Sequence, residues 1–389
     1  MNPFVLRRGL AVAALAAGAL LASCASGPSE AEVEAARLAA EAAARTPPPI
    51  ALNESVAQAA SIYVAFTRDM TAIEGGFADP EAVQAALTRG SAYNPAQVSR
   101  GLIAYASILA LQSPEFVAGV RQYAGHQATR EKLVADIVAN PRYASSLPGA
   151  DAAASLIMAS LRDDLDALGR AADSVENDAY AIQARHDPRR AWGVAQVPDR
   201  DARLAGAKSR SLQDMLPSAE ESARLFAAAH GGTGLPAPRG ARTPRQAPYP
   251  PAVVNDIALA ALAALGAAGD NARLRTDALQ SEPTAEHCLD MSKLMLFQCL
   301  AASRPSYEDM FCVGRHAVRD LATCTRGAAM PGAIITVSDV VPSGPVASTA
   351  AAPPIVISPV RPPAVATQAP PPPAASATER LNRGSGPPD

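Results

Sequence analysis

The sequence is poor in large aromatic side chains, since Phe, Trp and Tyr make up only 4% of its 389 residues. It also lacks an excess of charge of one sign, because 34 Lys and Arg stand against 37 Asp and Glu and give a net charge of -3. Such a balance does not predict a nucleic-acid-binding surface. Roughly ninety residues are Ala, which favours helices and buries little area. The composition therefore predicts an all-α protein that depends on close helix packing.

Recognisable catalytic and cofactor-binding motifs are missing as well. The chain has no phosphate-binding loop, no dinucleotide fingerprint, no His-Glu-x-x-His and no EF-hand loop. The glycine-rich stretch after His230 is similar to an esterase oxyanion loop, but no Gly-x-Ser-x-Gly motif accompanies it. Asp163, Asp164 and Asp166 form an acidic cluster, which we interpret as a solvated helix face. We predict no catalytic residues, no metal and no cofactor.

Residues 1–23 have the features of an export signal. Two arginines precede an apolar stretch over residues 9–21, which is too short to span a membrane comfortably. The stretch ends in the tetrapeptide Leu-Ala-Ser-Cys at Cys24, and this tetrapeptide resembles the lipobox of bacterial lipoprotein precursors. The resemblance implies cleavage between Ser23 and Cys24, attachment of a diacylglycerol to the Cys24 sulfur, and acylation of the new amino terminus.

The resemblance also has consequences for localisation. Two acyl chains hold a protein stably on a bilayer, because each buried CH2 contributes about 0.8 kcal/mol. Ala25 follows the cysteine, whereas Gram-negative lipoproteins retained at the inner membrane have Asp there, so the periplasmic face of the outer membrane is favoured. The alternative is an ordinary signal peptide cleaved nearby, or a short uncleaved anchor, with Cys24 as an unmodified thiol.

Composition divides the remaining chain into a tether, two helical units, a linker and a tail. The tether contains an Ala-rich helix over Ser29–Arg45 that has few apolar side chains to bury, followed by three prolines. Apolar residues recur at spacings of three and four in both helical units. The linker is basic and contains no acid, and the Pro-rich tail has too few large apolar residues to fold alone. The predicted boundaries are tether 24–51, all-helical domain 52–230, linker 231–252, smaller helical unit 253–330 and disordered tail 331–389.

Local signals within the larger unit predict where helices begin. Asp79, Asn94 and Ser113 each stand before a Pro, which combines a capping side chain with the residue best tolerated at the first helical position. The helical periodicity weakens over residues 173–190, which we interpret as a solvated extension or the wall of a contact surface. The periodicity returns over Ser211–Ala229, where we predict one further helix.

Every cysteine except Cys24 lies in the smaller unit: Cys288, Cys299, Cys312 and Cys324. An even number of cysteines in an exported segment indicates two disulfides. Two predicted helices, Glu286–Ala302 and Tyr307–Arg326, form a hairpin in which the cysteines are about 16 Å apart in one arm and 18 Å in the other. These matching heights predict nested pairing, of Cys299 with Cys312 and of Cys288 with Cys324.

The second arm of this hairpin has an angular mismatch. At 100° per residue, eleven residues return Cys299 to the face of Cys288, but twelve residues leave Cys324 about 120° from Cys312. We therefore expect Cys324 to lie at a loosened helix end, which the nearby Gly327 would permit.

A mixed Cys and His zinc site is the alternative to these disulfides. Cys312 and His316 are spaced i and i+4, and His287 adjoins Cys288. The oxidising compartment and the absence of a Cys-x-x-Cys pair favour disulfides over zinc and over a redox role.

These features predict a lipid-anchored cell-envelope protein that acts as a non-enzymatic scaffold or assembly factor. Its expected partners are the membrane, through the lipid, and an envelope protein or the cell wall; no nucleic acid is expected, and the oligomeric state is not determined. Two alternatives remain open. A carrier would enclose an apolar ligand in a cavity lined by Leu, Ile, Val and Tyr. An envelope hydrolase would bring His126, His186 or His230 to a Ser or a carboxylate.

Overall fold

The computed structural model describes residues 29–185, 187–238 and 243–332. These residues form helices and no β-strand, apart from two isolated β-bridges, so the all-α prediction is confirmed for this part of the chain. The α-helices are α1 Glu30–Arg45, α2 Glu54–Thr71, α3 Pro80–Ser91, α4 Pro95–Ala110, α5 Pro114–Arg121, α6 Gln127–Ala139, α7 Ala150–Ala184, α8 Ala191–Val194, α9 Arg200–Arg210, α10 Ala219–Gly231, α11 Pro251–Ala264, α12 Arg273–Leu279, α13 Pro283–Ala302, α14 Ser306–Val313 and α15 Asp320–Ala329. Three 3-10 helices, Pro141–Ser146, Pro188–Arg190 and Asp270–Ala272, and a π-helical turn, Gly314–Arg319, complete the list. The predicted signal peptide, Cys24, and residues 333–389 of the predicted tail lie outside the described residues.

The helix starts predicted from capping residues are confirmed. The side chain of Asp79 accepts a hydrogen bond from the Ala82 N–H at 2.8 Å. Asn94 and Ser113 cap α4 and α5 in the same way. Each cap satisfies a backbone donor that has no partner within the helix, and the following Pro lacks such a donor.

Helix α4 packs between α2 and α11 in the core. Gly101 allows the close approach of α2, because a Cβ at this position would lie 2.5 Å from the carbonyl oxygen of Ala59. All residues of α11 are buried except Pro251 and Asn255. The core around α11 is continuous with that of residues 52–230. The two helical units predicted from the sequence therefore share one core.

Most described residues of the predicted linker are exposed, but a few of them contact the core. Leu235 and Tyr249 pack against the core, and Ser155 of α7 donates a hydrogen bond to the Thr243 carbonyl at 2.6 Å. These contacts explain how the segment joins α10 to α11 within one body. Residues 239–242, which include two of the arginines, lie outside the described residues.

Helix α7 is 35 residues long and continues to Ala184, through most of the region where the periodicity weakens. It packs against α14, the π turn and α15, and Tyr180 in its last turns contacts the ring of Phe311 on α14. Arg319 makes ion pairs with Asp173 and Glu176 at 2.6 Å. The region is therefore the wall of a contact surface and not a solvated extension. The surface it contacts is the cysteine-containing hairpin of the same chain.

The prediction of one helix over Ser211–Ala229 is wrong in its first half. Residues 212–218 are not helical, and α10 begins at Ala219 with Ser218 as its cap. Pro217 provides the physical reason, because a proline disfavours helical backbone at the residue before it. Leu212 and Leu216 are 85% and 87% exposed as a result.

Among the described residues, no single helix has both the length and the apolar composition needed to cross a membrane. Within the part of the chain that the structure describes, α4 and α5 taken together meet both criteria, with a bend of 82° between them.

Candidate functional site

The four cysteines of the hairpin form two disulfides. Cys288 pairs with Cys324 and Cys299 pairs with Cys312, with Cα–Cα distances of 5.5 and 5.7 Å. This is the nested pairing that the spacing predicts. Both bonds join α13 to the continuous helical stretch formed by α14, the π turn and α15.

The π turn resolves the angular mismatch between the two arms. It lies between Cys312 and Cys324, and its i to i+5 hydrogen bonding absorbs one residue more than an α-helical turn. The twelve-residue spacing therefore rotates as eleven residues would, which matches the spacing in α13. The expectation of a loosened helix end near Gly327 is wrong, because the loosening occurs in mid-helix. Ser292 of α13 fixes the turn by donating a hydrogen bond to the His316 carbonyl at 2.8 Å.

The disulfides remove the thiolate ligands that the zinc alternative requires. The ring of His316 instead lies 3.2 Å from a carboxylate oxygen of Asp320, and His287 is exposed. No group of three or more potential metal ligands occurs among residues 29–185, 187–238 and 243–332.

A buried ion pair connects the hairpin to the rest of the body. The side chains of Arg203 and Asp309 are only 5% and 0% exposed. Besides the Arg203 guanidinium, the Asp309 carboxylate binds the Ser303 hydroxyl at 2.6 Å and the Gln84 amide at 3.0 Å. A buried ion pair needs such additional hydrogen bonds to offset desolvation. The network joins α3 and α9 to the hairpin, and the hairpin thus belongs to the structural framework.

The two described histidines of the hydrolase hypothesis do not contact a Ser or a carboxylate. Nδ1 of His230 lies 2.8 Å from the Phe226 carbonyl oxygen, and the Leu52 N–H donates to its Nε2 at 3.5 Å. His126 precedes α6 without a capping hydrogen bond from its side chain. His186 lies outside the described residues. The geometry that this hypothesis requires is therefore not present at His126 or His230.

The acidic cluster on α7 is less solvated than its sequence indicates. Asp166 is exposed, but Asp163 and Asp164 are half-buried. Burial, together with the neighbouring charge of Asp163, raises the pKa of Asp164 to about 6.

Asp256 is a buried carboxyl that the sequence analysis did not single out. It is the single charged residue of α11, is 1% exposed, and its Oδ1 has no hydrogen-bond partner among the described residues. Burial and the nearby Glu282 carboxylate raise its pKa well above the usual range. The sequence does contain an indication of this site, because Asp256 is one acid within an otherwise apolar stretch. Burying a charged carboxylate costs free energy, so such a group is expected to be neutral.

An open cleft of about 770 Å³ lies between α6 and the turn from α11 to α12. Val134, Val138 and Leu265 line it, together with Arg130 and Arg275. The carrier hypothesis expected an enclosed cavity with Leu, Ile, Val and Tyr in its walls. This cleft is instead open to solvent, and most of its apolar lining residues are Ala and Val.

Four exposed apolar side chains lie on the loop of residues 212–218 and on α13. They are Leu212, Leu216, Met291 and Leu294, which are 37% to 87% exposed. Lys293 joins the two segments by donating to the Ser211 carbonyl at 2.9 Å. The side-chain amide of Gln97 fixes the loop by two hydrogen bonds to Met215, one donated to its carbonyl and one accepted from its N–H.

Comparisons with known proteins give no relative for this chain. No family model matches the sequence, no curated protein matches it, and no solved structure matches the fold. The functional argument therefore depends on the residues of the chain itself.

Proposed function

We propose that this protein is a lipid-anchored scaffold of the bacterial envelope, held at a membrane through Cys24 and presenting its helical body to a protein or cell-wall partner. The observation that carries the proposal is the exposure of α1. Every described side chain from Glu30 to Ala42 is exposed, including Val33 and Leu38 at 53% each. A helix whose described side chains are all exposed is suited to act as a spacer of about 24 Å between a lipid and the helical body.

The chain after the spacer is fixed to the core. The N–H of Ala51 donates to the Ala263 carbonyl at 3.0 Å, and the N–H of Asn53 donates to the Ala268 carbonyl at 2.8 Å. Arg121 donates to the Pro48 carbonyl at 2.9 Å. These bonds join the tether to the end of the buried helix α11, so that the position of a lipid at Cys24 limits where the body can lie.

Two further features support the proposal. Disulfides persist in oxidising compartments such as the bacterial periplasm, which agrees with an export signal. The exposed side chains of Leu212 and Leu216, 85% and 87% exposed on one loop, offer apolar surface that a partner could cover.

Lipid attachment is tested by labelling cells with a clickable palmitate analogue and comparing wild type with Cys24→Ala and the matched control Ser26→Ala. We expect label and membrane fractionation for wild type and Ser26→Ala, and loss of both for Cys24→Ala. Label retained by Cys24→Ala would contradict the anchor.

The scaffold role is tested by in vivo crosslinking and mass spectrometry of the anchored protein. We compare wild type, the double variant Leu212→Lys with Leu216→Lys, and a truncation that removes residues 331–389. A specific envelope partner lost in either variant supports the role and locates the contact. Capture of the same background proteins by all three forms would argue against it.

A further inference from the structure

The cleft between α6 and the α11–α12 turn has no role in the proposed function. Its volume of about 770 Å³ falls within the range of roughly 300 to 1,000 Å³ that small-molecule sites occupy. It lies beside Pro48, three residues after α1 ends, and it therefore adjoins the root of the tether.

The end of α11 gives the cleft its shape. The N–H of Gly266 donates to the Ala263 carbonyl at 2.9 Å and that of Ala267 to the Leu262 carbonyl at 2.8 Å, which together form a Schellman motif. Gly266 has a φ of +73°, and a Cβ there would lie 2.8 Å from Cγ of Pro48. A side chain at this position would be strained and would close part of the cleft.

The α6 side of the cleft offers exposed apolar surface. Val138 is 45% exposed and Val134 is half-buried, whereas Leu265 lines the cleft but is only 1% exposed. Apart from Arg130 and Glu131, the remaining residues of α6 that line the cleft are alanines. An apolar chain bound here would remove this surface from water.

Two arginines at the cleft have guanidinium donors that no described residue accepts from. Arg130 donates to the Ala124 carbonyl at 2.8 Å and Arg275 to the Ala267 carbonyl at 3.3 Å. Neither makes an ion pair with a carboxylate among the described residues. Glu131 also lines the cleft, but its carboxylate is exposed and accepts a hydrogen bond from Gln127 at 2.8 Å. A guanidinium has five N–H donors and suits the paired oxygens of a carboxylate or phosphate.

We propose that the cleft binds an anionic amphiphile, with its acyl chain on Val134, Val138 and the alanines of α6 and its carboxylate or phosphate group at Arg130 and Arg275. The ligand chemistry is shared by a free fatty acid and an anionic phospholipid. The site does not depend on lipid attachment at Cys24, so the two proposals can fail separately.

The test uses the full chain reconstituted in phosphatidylcholine vesicles. One arm adds a photoactivatable palmitate analogue, and a second arm supplies phosphatidylglycerol with the same photoactivatable acyl chain. We expect crosslinks within residues 127–139 and 265–275, and the arm that gives them identifies the source of the ligand. Cys24→Ala loses the anchor, so it is tested with the palmitate analogue in solution without vesicles, where it should give the same crosslinks. Absence of crosslinks in both segments in both arms would overturn the proposal.

Matched variants test the two halves of the site. Combining Arg130→Gln with Arg275→Gln should lower crosslinking about tenfold, since hydrogen bonds to charged groups are lost, while Arg89→Gln on α3 should not. Circular dichroism checks the fold of each variant. If the arginine variant does not fold, Val138→Asp compared with the similarly exposed Val194→Asp decides the question. A photoactivatable fatty alcohol that labels both segments as well as the palmitate analogue would overturn the assignment of the arginines.

Discussion

Helices α1 and α11 are both rich in alanine but have opposite surroundings. Every described side chain of α1 from Glu30 to Ala42 is exposed, whereas α11 is almost entirely buried. The two large apolar residues of α1, Val33 and Leu38, are five positions apart and therefore about 140° apart around the helix, so they form no stripe. In α11, large aliphatic residues occur on all sides. Alanine content thus predicts a helix, while the number and angular placement of larger side chains decide whether it is buried.

The largest difference in stability is expected when one leucine of each helix is replaced by a charged residue. Leu259→Asp on α11, where the side chain is 0% exposed, should cost more than about 4 kcal/mol of unfolding free energy and prevent folding. Leu38→Asp on α1 should leave the urea unfolding midpoint unchanged. A loss of stability in Leu38→Asp would show that α1 packs on the body after all.

Helix α13 is intermediate between the two, because only five of its 20 residues are buried and disulfides supplement its packing. Replacing both Cys288 and Cys324 with Ser, or both Cys299 and Cys312, should each cost about 2 to 4 kcal/mol. The measurement is urea unfolding under oxidising conditions, with Cys24→Ser as the control that closes no loop. Unchanged midpoints in both double variants would mean that packing alone holds the hairpin.

The buried carboxyl of Asp256 in α11 should make the free energy of unfolding depend on pH. The folded pKa of Asp256 is raised above its unfolded value near 4, so its contribution is fully present below pH 4 and is lost as pH rises towards the folded pKa. The loss amounts to as much as about 1.4 kcal/mol per pH unit. Asp256→Asn should therefore be more stable relative to wild type at pH 7 than at pH 4.

The control for this prediction is Asp164→Asn. The pKa of Asp164 is raised to about 6. Its contribution to stability therefore also decreases as the pH rises, but this decrease should be complete near pH 6. Urea midpoints measured from pH 4 to 8 distinguish the two variants. Parallel curves for Asp256→Asn and wild type would show that Asp256 is not buried in the folded protein.

The smallest effect is expected for the ion pairs of α1. Arg37 contacts Glu34 at 2.6 Å and Glu41 at 3.1 Å, and all three side chains are about half exposed or more. Arg37→Ala should leave the unfolding midpoint unchanged and slightly lower the helix content measured by circular dichroism at low salt. A shift of the midpoint would mean that α1 unfolds together with the core.

Local sequence patterns predicted much of the fold correctly. The capping residues Asp79, Asn94 and Ser113 act through hydrogen bonds within three positions along the chain, and such contacts can be read from spacing. The nested disulfides also followed from spacing, because helical rise sets the heights of cysteines in antiparallel arms. Pro217 was present in the sequence too, and its effect on Leu216 was missed because the apolar periodicity was given more weight.

The sequence by itself determined that this chain is helical, where several helices begin, and which cysteines pair, because each of these depends on contacts that are local or set by regular rise. Only the tertiary structure decided that α11 lies in the same core as residues 52–230, that Asp256 and Asp309 are buried, and that Arg130 and Arg275 border one cleft. These features depend on which helices pack against each other. That choice is made by side chains far apart in sequence, and helical periodicity does not record it.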